Sequence, residues 1–164
     1  MFKEKMNLLL ISAILLTTAL GDFLGDDGPC PSSAVAKYGK FWFSVYNNKT
    51  CYGLITSPKL KFEDAKNFCE KSNGTLAMPK SPKLNDYLLK FINDMDPTYM
   101  PWLGIRKKNK DYFFLDDSKS NRQVLDHSLA QILSSPFCVI FSKGSGDWRQ
   151  FDCDTELNYL CEWN

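Results

Sequence analysis

The 164-residue chain has a single histidine, His127, and no excess of either charge, with 20 Lys and Arg against 19 Asp and Glu. A near-neutral chain lacks the basic balance that nucleic-acid binding leaves in composition. No C-x-x-C occurs, and six cysteines scattered from residue 30 to residue 161 beside one histidine do not make a zinc set. H-E-x-x-H, a Gly-rich phosphate loop and Gly-x-Ser-x-Gly are all absent. His127 is flanked directly by Asp126 and Ser128, and adjacent residues do not build a triad, so the chain is expected not to be an enzyme. Repeats, low-complexity tracts and a collagen-like or coiled-coil stalk are missing too.

What is present begins with Lys3, Glu4 and Lys5, followed by an apolar run from Leu8 to Leu20 broken only by Ser12, Thr17 and Thr18. That run is shorter than the roughly 20 residues a membrane helix needs. Small residues at Ala19 and Gly21 then mark a signal-peptidase site before Asp22. Residues 1–21 are therefore expected to be a signal peptide, residues 22–29 a short Gly, Asp and Pro-rich lead-in, and residues 30–164 one domain, with no membrane insertion. Cleavage after Gly21 leaves a formally neutral, secreted, extracellular chain.

All six cysteines, Cys30, Cys51, Cys69, Cys138, Cys153 and Cys161, lie beyond the leader. An even count in a secreted chain reads as three disulfides, although spacing alone does not choose among the pairings. The sequons at Asn48 and Asn73 fit a glycoprotein. Two helices are predicted. One runs near Leu60 to Ser72, with Phe62, Ala65, Phe68 and Cys69 on one side and Asn73-Gly74 as a left-handed cap. The other starts at Ser81 and Pro82 and carries Leu84, Tyr87, Leu88, Phe91 and Ile92 to Asp96-Pro97. Short strands are predicted over 41–46, 51–55, 102–105, 112–115, 137–141 and 159–163. Helices early and strands late give an α+β class.

Six motifs in order carry a resemblance. They are Cys51-Tyr52; Phe62-Glu63-Asp64-Ala65 with Cys69; Gly74-Thr75-Leu76-Ala77; Trp102-Leu103-Gly104-Ile105; Cys138 with Gly146-Asp147-Trp148 and Cys153; and Tyr159-Leu160-Cys161-Glu162. Together, from Cys30 to Asn164, they resemble a C-type lectin-like domain of the long-form, secreted single-domain kind. The resemblance implies two helices flanking antiparallel sheets with a long loop region, stapled by Cys69 to Cys161, Cys138 to Cys153 and the extra bridge Cys30 to Cys51.

In sugar-binding members of that family, calcium is held by a Glu-Pro-Asn or Gln-Pro-Asp triplet in the long loop and by Trp-Asn-Asp before the penultimate Cys. Calcium takes six to eight hard oxygens, and sugar hydroxyls complete the shell. Here Trp148 is followed by Arg149 and Gln150, and neither loop triplet occurs between Asp116 and Pro136. The expectation is a lectin-like recognition module for a protein, glycan or surface ligand, with no calcium cofactor. Lys143, Trp148, Arg149 and Gln150 are its candidate ligand-binding residues, and Trp148 itself is expected to pack in the core. If calcium binds after all, as in the alternative of a carbohydrate-binding lectin with an atypical site, the fallback ligands are Asp116, Asp117, Asp126 and Asp147. A further alternative is an extracellular matrix, venom or surface-binding structural protein. The run Arg106-Lys107-Lys108-Asn109-Lys110 reads as a polar turn between strands. A lone domain gains avidity by self-association, so a homo-oligomer is an open partner.

Overall fold

A computed structural model describes residues 28–38, 42–108, 111–120, 124–125, 137–142 and 144–164. The signal-peptide reading and most of the lead-in lie outside these residues. The element order is α1 (Ser32–Tyr38), β1 (Phe43–Tyr46), β2 (Thr50–Leu60), α2 (Phe62–Glu70), β3 (Thr75–Leu76), α3 (Pro82–Met95), β4 (Trp102–Lys108), β5 (Asp111–Phe114), β6 (Val124–Leu125), β7 (Phe137–Phe141), β8 (Trp148–Asp152) and β9 (Leu157–Trp163).

The two predicted helices form for the reasons their sequences give. Phe62, Ala65 and Cys69 are the buried face of α2, and past its end Asn73 takes φ +58° while the Gly74 amide bonds the Cys69 carbonyl at 3.0 Å. The left-handed residue is thus Asn73, one of the few non-glycine types that tolerates it. In α3, the Ser81 hydroxyl accepts from the Leu84 amide at 3.2 Å and Pro82 opens the helix.

The strands join one mixed network in the order β1-β2-β9-β4-β7-β8-β6, with β3 on β9 and β5 on β4. The expectation of two helices on antiparallel sheets is refined on both counts. β4 runs parallel to β9, and β6 parallel to β8. A third helix, α1, follows Pro31, whose carbonyl accepts from Ala34 and Val35 at 3.0 Å. It buries no residue, so it carries no apolar stripe for the sequence to show. The central strand β9 is buried along its whole length, with neighbours on both edges.

Two apolar clusters occupy the two sides of this network. One gathers Phe62, Ala65, Trp102, Ile140 and Tyr159, with Phe62 edge-on to Trp102 at 5.8 Å between centroids and the Trp102 indole donating to the Leu60 carbonyl at 3.0 Å. The other sets Leu88 and Ile92 of α3 against Leu103, Ile105, Val139, Phe141 and Trp148. Each such side chain contributes roughly 1.5–3 kcal/mol by leaving water. Three bridges tie the network together: Cys69 to Cys161 joins α2 to β9, Cys138 to Cys153 joins β7 to the turn after β8, and Cys30 to Cys51 anchors the segment before α1 to β2. These are the pairs that the resemblance implies.

Candidate functional site

The strand β8 reads Trp-Arg-Gln-Phe-Asp and pairs with β7 through Ile140 opposite Arg149 and Val139 opposite Gln150. Period-two alternation sends Trp148 and Gln150 inward and Arg149 outward. Trp148 is buried beneath α3, where its indole donates to Asn85 Oδ1 at 2.8 Å, and Phe114 meets it edge-on at 6.0 Å. It therefore serves as a core residue rather than an exposed platform. Asn85, a polar side chain only 1% exposed on the inner face of α3, was not singled out by the sequence, whose one signal is an amide between Leu84 and Leu88.

Gln150 is also 1% exposed. Its Oε1 accepts from Lys107 Nζ at 3.3 Å, while its Nε2 has no hydrogen-bond partner. A buried donor without a partner costs about 1–3 kcal/mol, and it is one of four such buried polar atoms among the described residues. Beside it Arg149 is exposed, and Lys107 also stands 5.8 Å from the centre of the Tyr112 ring. Gln150 and Arg149 leave β8 on opposite faces, so the exposed donor of this strand is the Arg149 guanidinium, while the Gln150 amide is buried beside the Lys107 ammonium. Lys143, the fourth candidate, lies outside the described residues.

The basic run is corrected by the structure. Arg106, Lys107 and Lys108 are strand residues of β4, paired with Phe113, Tyr112 and Asp111 of β5. Their polarity suggested a turn, but an exposed strand end stays paired when its long cationic chains lie over aromatic neighbours; Lys108 is 5.9 Å from the Phe113 ring centre. Asn109 and Lys110 fall outside the described residues.

Among the described residues the fallback ligands Asp116, Asp117 and Asp147 form no metal set. Asp116 forms an ion pair with Lys80 and accepts from the Ser118 amide at 3.1 Å and hydroxyl at 2.6 Å. Its hydrogen bonds, that from Lys80 first, hold its carboxyl down at about 2. Asp117 occupies an exposed left-handed turn position at φ +63°, and the Asp147 carbonyl accepts from the Ser142 amide at 2.7 Å. Asp126 lies outside the described residues. Among the described residues no three His, Cys, Asp or Glu side chains gather as a metal set. Calcium does not fit the donors at 148–150 either, where one group is a cation and the amide oxygen of the next already accepts from Lys107.

A second buried polar group lies on β9. Glu162 is 6% exposed, and its carboxylate accepts from the Met78 amide at 3.0 Å. Burial pushes its carboxyl up to about 7, against the Met78 hydrogen bond, the nearby Lys80 charge and the Tyr52 hydroxyl, while Asp116 adds to the rise. Burial and the same carboxylate raise the Tyr52 phenol as well. The sequon residues Asn48 and Asn73 are both exposed at left-handed turn positions. No helix among the described residues is long and apolar enough to cross a membrane.

Comparison with known proteins agrees with this architecture. The human regenerating islet-derived protein 3-gamma is 23% identical over 95% of this chain and 92% of its own length. The mouse scavenger receptor C-type lectin carbohydrate-recognition domain superposes with a TM-score of 0.62 at 21% identity, covering 81% of this chain and 96% of that one. The Ca²⁺-independent C-type lectin SPL-2 from Saxidomus purpuratus gives 0.61 at 17% identity, covering 74% of this chain and 90% of that one. The Lectin C-type domain model matches residues 58–163, most of the chain, and with this fold and these bridges the chain belongs to the Lectin C-type domain family.

Proposed function

We propose that the protein is a secreted, disulfide-bonded recognition module that binds an extracellular glycan or protein directly, with exposed Arg149 of β8 as a donor, without a calcium-held sugar site. The observation that carries the reading is that β8 places an exposed cation, Arg149, and a buried amide already bonded to Lys107, Gln150, at the two positions where sugar-binding relatives place calcium ligands. Donors alone select a ligand rich in acceptor oxygens, such as carboxylate, sulfate or clustered hydroxyl and carbonyl groups. Three disulfides suit an oxidising compartment, and the exposed Asn48 and Asn73 are open to glycosylation. A binding role also fits a fold whose buried polar groups are held by packing rather than arranged as a nucleophile and base.

The test is retention on an array of neutral and acidic glycans in millimolar calcium and again in chelator. The reading expects the same bound set in both, with about tenfold weaker retention for Arg149→Ala, the effect of losing a charge-assisted hydrogen bond. Elution by chelator would instead point to calcium held by the fallback set Asp116, Asp117, Asp126 and Asp147.

A further inference from the structure

The helix α1 lies beside the end of α2 and the β2–β9 pair, and together they enclose a cleft of about 220 Å³. Ile55, Phe68 and Trp163 supply its apolar floor and Tyr38 one wall. Lys37 and Lys71 stand at its rim, both exposed. The Lys37 ammonium is 5.0 Å from the Tyr38 ring centre and 6.0 Å from that of Phe68. No carboxylate among the described residues pairs with either lysine, whereas Lys66 on the same α2 is paired with Glu63 at 3.8 Å and Glu70 at 3.4 Å.

Two hydroxyls near the cleft are unsatisfied as well. Phe68 lies between Tyr38 and Tyr159, at 6.0 and 5.2 Å between centroids, and the hydroxyls of both tyrosines are buried without a hydrogen-bond partner. One orphaned hydroxyl thus belongs to a short helix that buries none of its residues, and the other to β9 beside it. Apolar floor and unpaired cations at one opening match a single ligand chemistry, a hydrocarbon or aryl body ending in an anion. The volume falls below the roughly 300–1,000 Å³ of drug-sized sites, which limits that body to a short chain or a single ring.

We propose that the cleft between α1, α2 and β9 binds a small amphipathic organic anion, its apolar body on Phe68, Ile55 and Trp163 and its acid group between Lys37 and Lys71. This site shares no residue with β8. The experiment follows amide resonances of residues 33–38 and 68–72 in the full chain while octanoate is added, with octanol as the neutral analogue and acetate as the anion without a body. Saturable shifts with octanoate, at least about tenfold weaker with octanol, with acetate and with Lys37→Gln/Lys71→Gln, are the expected result, two partly exposed charge pairs giving about that ratio. Equal binding of octanol, an unchanged double variant with the same melting temperature, or no saturable shift would each overturn the proposal.

Discussion

Lys107 Nζ reaches from β4 to the Oε1 of Gln150 on β8, 3.3 Å away, and this bond holds the amide with its Nε2 turned to no partner. The Nε2 is itself buried, so the folded state gains nothing from this N–H and pays its desolvation.

Replacing Gln150 by Leu tests what the buried amide contributes. The change removes an unsatisfied buried donor, and Lys107, on the exposed end of β4, can return to water. Urea unfolding of Gln150→Leu is expected within about 1 kcal/mol of the parent, and retention of acidic glycans, which rests on exposed Arg149, is expected unchanged. A severalfold loss of retention would show that the ligand reaches this buried amide.

The buried carboxyl of Glu162 makes stability depend on pH. Its folded value is raised from 4.5 to about 7. The folded state therefore binds the proton more tightly than the unfolded chain, and the stabilisation is complete below about 4.5 and lost as pH rises through about 7. The shift is worth about 3 kcal/mol. Glu162→Gln, which cannot ionise, is expected to lose this part of the slope, so that the difference in urea midpoint between variant and parent grows in favour of the variant from pH 4.5 to pH 8. A constant difference across that window would contradict the assignment.

Gly104 is fixed by close approach rather than by a turn. A methyl there would be driven into the Leu76 carbonyl oxygen and within 3.0 Å of the Met78 side chain, while the Gly104 amide donates to the Ala77 carbonyl at 2.8 Å. Because the obstacle is backbone, it cannot swing aside. Gly104→Ala is expected to lower stability by about 1–3 kcal/mol in a denaturant titration.

The bridges should differ in weight. Cys69 to Cys161 spans a sequence separation of 92 residues, and Cys30 to Cys51 one of 21. In the chain-entropy account their removal as paired Cys→Ala variants loses about 4 to 5 and about 3 kcal/mol, respectively, read from urea midpoints. A larger loss from the Cys30 to Cys51 pair would show that α1 and β2 contribute more to the core than their burial suggests.

Much of this architecture was legible because it rests on local patterns. The cap at Ser81-Pro82, the apolar stripe of α2 and the run Phe137–Phe141 each announce an element, and the ordered cysteine, Trp-Leu-Gly-Ile and Cys-Glu motifs announce the family. The misses have physical causes. β2 continues past Ile55 to Leu60 through exposed polar residues, so the apolar run ends before the backbone does. β8 was not predicted as a strand because Gln150 puts an amide where alternation calls for an apolar side chain, and that same departure is what marks the candidate site. Arg106 to Lys108 looked like a turn because charge was read without the aromatic partners on β5. Asn85 and Glu162 are polar residues inside apolar patterns, and only the fold shows what each one faces.

The most direct test of the central claim is thermal unfolding of the oxidised protein in millimolar calcium and in chelator. A ligand bound selectively to the folded state adds RT ln(1 + [L]/Kd), about 2.7 kcal/mol at a hundredfold excess over Kd. The account predicts superimposable melts, with glycan or protein binding surviving in chelator. A clear upward shift in calcium would contradict it and make Asp116, Asp117, Asp126 and Asp147 the first residues to substitute.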